Sequence, residues 1–146
     1  IMKRLLILLF IPTLSYSQIT YKDIMSIHTE NTFKKVVIEN GYELMSKDDT
    51  IINYGLDVSN LFGNEMGNGF SSYNKISGGF YFGFSNNTKE EYDLIVDELK
   101  EKCKFFEIFE TEETDFVLYS CSESKYSGKI GISVYDGMNI IIHYPE

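Results

Sequence analysis

TKEEYDLIVDELKEKC, Thr88 to Cys103, runs straight into KFFEIF, Lys104 to Phe109, so a helical period gives way to an extended one with no linker between them. Tyr92, Ile95, Val96, Leu99 and Cys103 recur at i, i+3, i+4, i+7 and i+11, which places them along one stripe of an α-helix. Thr88 and Glu91 have the spacing of a capping box at its start. The opposite face carries Asp93, Asp97, Lys100, Glu101 and Lys104, a solvated surface, and Glu98 stands four residues before Lys102, as an i,i+4 ion pair requires.

Moving outward, a second and shorter helix is expected earlier in the chain. Thr29 or Asn31 can cap it, Phe33, Val36 and Val37 form its apolar stripe, and Asn40-Gly41 supplies the stop. Strand signals rich in aromatic and β-branched residues fill much of the rest: 42–45, 50–58, 78–85, 104–109, 116–121, 129–135 and 138–144. Asp136-Gly137 is the strongest hairpin signal. It pairs Tyr135 with Met138 and sets Ile132 opposite Ile141. Strands joined by short turns imply an antiparallel β-sheet, and two amphipathic helices can cover one of its faces. The expected fold class is therefore α+β. Aligning Phe33 with Tyr92 lays Val36 and Val37 over Ile95 and Val96, which suggests a tandem αβββ duplication.

Ile1 to Ser17 has the layout of an export signal: the basic pair Lys3 and Arg4, an apolar run from Leu5 to Ile11, then Ser15-Tyr16-Ser17 ahead of Gln18. The run is shorter than the roughly 20 apolar residues that span a bilayer, and no cysteine follows the expected cut, so no stable membrane anchor is expected. The expected organisation is a signal peptide, 1–17, and one globular α+β domain, 18–146, in the periplasm or outside the cell.

Cys103 and Cys121 are the only two cysteines. A tight turn near Glu110 to Thr114 would pair Phe106 with Leu118, Ile108 with Phe116 and Cys103 with Cys121, so the register that matches apolar residues also aligns the sulfurs. An oxidising compartment favours a disulfide there, and closing this loop is worth about 3 kcal/mol on the chain-entropy model. With His28 and His143 far from both cysteines in sequence, no zinc-ligand spacing is present, and no metal or other cofactor is expected.

The net charge of −9 and the single arginine, Arg4 in the leader, argue against nucleic acid as a partner. An acidic surface suits a basic protein, a cation or simple solubility. Neither histidine sits in a nucleophile motif. The stretch from Gly63 through Gly69 to Gly79 matches neither a P-loop nor a dinucleotide fingerprint and reads as a long connection, on which Phe62, Phe70 and Tyr73 can either meet a partner or turn back into the core. The second candidate surface is Glu110, Glu112, Glu113 and Asp115, four carboxylates crowded on one turn. Like charges this close repel unless water, a cation or a basic partner relieves them. The expected function is that of an exported, non-enzymatic binding protein, an inhibitor or immunity-type factor for a basic partner, using the acidic turn with Phe70 and Tyr73. Two other classes compete: a carboxylate-dependent glycan hydrolase, and a structural envelope protein without a dedicated site.

Overall fold

The computed structural model describes residues 18–57, 67–125 and 127–145; the expected signal peptide and Phe62 lie outside them. Three helices, α1 (Tyr21–Ser26), α2 (Glu30–Glu39) and α3 (Lys89–Lys102), accompany eight strands. The strands are β1 (Glu43–Lys47), β2 (Ile51–Leu56), β3 (Gly69–Asn74), β4 (Phe80–Phe84), β5 (Lys104–Glu110), β6 (Asp115–Ser120), β7 (Lys129–Tyr135) and β8 (Met138–Tyr144). They form one antiparallel sheet in the order β1-β2-β3-β4-β8-β7-β6-β5. Four strands follow α2 and four follow α3, so each unit exceeds the αβββ expected of a duplication; the four strand signals of the second half all form strands, the first half gains one, and the halves meet where β4 pairs with β8.

The extra strand in the first half is β3, where residue order suggests a loop. Gly69, Ser71 and Ser72 have little intrinsic strand preference, but small residues are what this buried position accepts. Ser71 is fully buried and its hydroxyl donates to the Tyr81 carbonyl at 3.0 Å. α1 is also unexpected, being too short to show a helical period. A capping box starts it, with Thr20 Oγ1 accepting from the Asp23 amide and Asp23 accepting from the Thr20 amide.

The helices cover one face of the sheet. Phe33 of α2 is completely buried there, its ring centroid 5.2 Å from Tyr73, 6.0 Å from Tyr54 and 6.0 Å from Phe82. Ile95 and Leu99 of α3 continue the core over Phe84, Ile141, Ile130 and Ile132. Thr29, not Asn31, caps α2, paired with Thr32, and Gly41 leaves the helix at φ +81°, a conformation glycine reaches without steric cost. At α3 the expected capping box does not form. A 3-10 turn, Asn86–Thr88, precedes the helix, and the Thr88 hydroxyl donates to the Asn68 carbonyl at 2.6 Å instead. Glu91 is consequently free to tuck in; it is buried, and desolvation raises its pKa.

The β7–β8 hairpin has the expected register, Tyr135 opposite Met138 and Ile132 opposite Ile141. Asp136 and Gly137 turn it with φ values of 48° and 75°, both positive as a type I′ turn demands. The β5–β6 hairpin follows the expected register only at its base, where Lys104 faces Ser120 and Phe105 faces Tyr119. A β-bulge at Phe106 then shifts the pairing by one, so Ile108 faces Val117 and Phe109 faces Phe116, replacing the expected Ile108–Phe116 and Phe106–Leu118 pairs. The base register suffices for Cys103 and Cys121, which form a disulfide across a Cα separation of 4.6 Å. Among the described residues no helix is long and apolar enough to cross a membrane.

Candidate functional site

The face of the sheet away from the helices has no covering layer among the described residues, and its middle carries several apolar and aromatic side chains beside polar ones such as Ser72 and Ser133. Alternation along each strand dictates this. Phe82 and Phe84 of β4 face the helices, so Tyr81 and Gly83 face outward. Ile141 of β8 faces the helices, so Met138, Ile140, Ile142 and Tyr144 face outward. Phe70 of β3 lies on this open face with its ring 5.6 Å from that of Tyr81, and Phe109 and Phe116 pack edge-on against Tyr144 at 5.6 and 6.0 Å.

At the end of the sheet where the β5–β6 and β7–β8 turns lie, this face is hollowed. A groove of about 380 Å³ is lined by Met45, Phe70, Tyr81, Met138 and Ile140, with Gly55 and Gly83 among its strand residues and Tyr135 and Asp136 beside the hairpin turn. Gly83 keeps it open: a Cβ there would come within 2.7 Å of the Met138 Cε. A neighbouring hollow of about 450 Å³ shares Tyr135 and Ile140 with the first and is bounded by Glu112, Glu113 and Phe116. The acidic turn therefore stands at the rim of an apolar surface.

That turn is held from beneath. Thr111 Oγ1 donates to the Thr114 carbonyl at 2.6 Å and accepts from the Thr114 amide at 3.0 Å. Thr114 Oγ1 lies 2.8 Å from Ser133 Oγ, which in turn donates to the Asp115 carbonyl at 2.7 Å, so β7 anchors the turn. With the threonines satisfying the backbone, Glu110, Glu112, Glu113 and Asp115 are left exposed to solvent. Glu113 stands beside the Tyr135 phenol, and its negative charge pushes that phenol's pKa up.

Phe70 and the acidic turn lie at the same end of the sheet but border different hollows, Phe70 the groove and Glu112 and Glu113 its neighbour, which share Tyr135 and Ile140; Glu110 and Asp115 pair on the helix side of their strands. Tyr73 does not join them. It is buried on the helix side against Phe33 and belongs to the core. Tyr135, Met138 and Ile140 complete the surface without having been singled out from the sequence; their signal was the Asp136-Gly137 turn, which fixes the faces of both flanking strands.

Of the two histidines, His143 is buried and His28 is exposed. His143 lies under the helices, stacked on Phe80 at 5.0 Å with ring planes 9° apart. Desolvation drives its pKa down to about 4, with a backbone hydrogen bond at Ser127 opposing the shift. His28 accepts or donates through Nδ1 at the Ser26 carbonyl, 2.9 Å away, next to α1. Both sulfurs are committed to the disulfide. Among the described residues no group of three His, Cys, Asp or Glu side chains is placed to hold a metal ion. No family model, curated protein or solved structure matches the chain.

Proposed function

We propose that this is an exported, non-enzymatic binding protein that receives a basic partner protein on the open face of its sheet, as an inhibitor or immunity-type factor would. The observation that carries the reading is that the acidic turn, braced by hydrogen bonds of Thr111 and Thr114, borders with Glu112 and Glu113 a hollow that shares Tyr135 and Ile140 with the groove lined by Phe70 and Met138. Apolar area supplies affinity and charge supplies orientation and encounter rate, so a groove rimmed with carboxylates suits a partner with exposed lysines or arginines around an apolar anchor. The disulfide and the leader-like Ile1 to Ser17 support export.

The test is a column of the immobilised chain loaded with envelope and culture-medium extract at low salt and eluted in salt steps. A basic protein released at moderate salt is expected, since exposed charge pairs are screened within about 8 Å at physiological ionic strength. A variant with Glu110, Glu112 and Glu113 changed to Gln and Asp115 to Asn should lose it. Retention of the same protein by that variant would overturn the role of the turn.

A further inference from the structure

β5 lies at the edge of the sheet, paired on one side only, with β6. Every one of its residues is exposed, including Phe105, Phe106, Ile108 and Phe109, which are 61%, 52%, 57% and 43% accessible. A long, apolar edge strand presents unpaired amides and carbonyls together with uncovered side chains, the combination natural proteins normally blunt. Here it is left open, and it leads directly into the acidic turn.

We propose that β5 is a docking strand: the basic partner adds an extended segment to its free edge over Glu107 to Glu110, extending the sheet by one antiparallel or parallel strand. This rests on the basic-partner reading above. The bulge at Phe106 interrupts the ladder, but from Glu107 to Glu110 the pairing with β6 is regular, so this stretch offers an undistorted edge. Its side chains name the chemistry of the occupant. Ile108 pairs with Val117 on the helix side and Phe109 with Phe116 on the open side, so alternation puts Glu110 with Ile108 and Glu107 with Phe109. Each face of the edge carries one carboxylate and one apolar side chain. A segment mixing basic and apolar residues satisfies both faces through cross-strand pairs.

A second copy of this chain is the poorer occupant. Lys104 to Asp115 holds one lysine and five carboxylates, so two copies of this edge would bring like charges together on a protein whose net charge is already −9. The other edge, β1, has Glu43 and Lys47 at its ends and no such excess. It provides an internal comparison within the same sheet.

The experiment uses the intact chain and four synthetic peptides: one repeating Lys-Val-Val-Lys, which sets one lysine and one valine on each face of an extended strand, two versions of it N-methylated at alternate residues in one register or the other so that one edge or the other cannot hydrogen-bond, and one with glutamate in place of lysine. Affinity is read by calorimetry and position by amide hydrogen exchange. The lysine–valine peptide is expected to slow exchange in Glu107 to Glu110, N-methylation on the pairing edge to weaken it by about tenfold or more, and the glutamate peptide not to bind. Equal binding of both methylated registers and the parent, or protection confined to the turn or to β1, overturns strand addition while leaving a basic ligand of the acidic turn in place. Failure of the lysine–valine peptide to bind at low salt also overturns it. The basic-partner reading is then judged separately by the column with the four-carboxylate variant.

Discussion

Phe33 shows how a single residue organises the core. Its ring meets Tyr54, Tyr73, Phe80 and Phe82, contributed by β2, β3 and β4. Phe33→Ala should therefore cost about 4 kcal/mol, measured as a fall in the urea denaturation free energy with an unchanged slope. His143 makes a second prediction, about pH. Folded, its imidazole titrates near 4; unfolded, near 6.5. Between those values the unfolded chain binds the proton and the folded chain does not, so stability is full above about 6.5 and falls as pH drops toward about 4. His143→Phe, which keeps a ring against Phe80, should flatten that part of the denaturation midpoint against pH. At this scale the sequence is a partial guide. Phe33 was visible from its helical period, whereas the burial of Tyr73 and the outward aim of Phe70 depend on β3 being a strand, and its glycine and serines conceal that.

Among the elements, α3 and the β7–β8 hairpin were readable because each carries redundant signals: five apolar positions in period for one, an Asp-Gly turn between long apolar runs for the other. The β5–β6 hairpin was readable only up to Phe106. A bulge depends on how the sheet must twist as a whole, and no local residue announces it. The disulfide lies on the correctly anticipated side of that bulge, which is why Cys103 and Cys121 could be paired from register alone. Replacing both by Ala should lower stability by about 3 kcal/mol through the added freedom of the unfolded chain, seen as a drop in Tm with the folded-state spectrum retained. α1 was missed, and it adds a second tie between the halves beside the β4–β8 seam. Tyr21 reaches Cys103 with its hydroxyl 3.5 Å from Sγ, Lys102 sits over the Tyr21 ring at 5.1 Å, and the Lys125 amide donates to the Met25 carbonyl at 3.1 Å. Tyr21→Ala should destabilise by about 3 kcal/mol, and Tyr21→Phe by only about 1 kcal/mol, a contrast that chemical denaturation can resolve.

For the whole molecule, the α+β class and the one-sided helical layer follow from patterns repeated in both halves, so errors in single elements did not disturb them. The candidate surface was harder to assemble from sequence, because Phe70 and Glu113 are far apart in the chain and come onto one sheet through the β4–β8 seam. The charge of the assembled protein makes the remaining prediction. Association with a basic partner should slow sharply as salt rises while dissociation changes less, a split that stopped-flow kinetics can measure. The two edges of the sheet carry a last consequence. β1 is bulged between Leu44 and Ser46, and β5 between Phe105 and Glu107. Each interruption leaves only a short regular stretch of edge, enough for the segment proposed to dock on β5 but working against long edge-to-edge stacking of sheets. Recognition at β5 and resistance to stacking then come from the same residue, Phe106, where the regular pairing of the edge begins and ends.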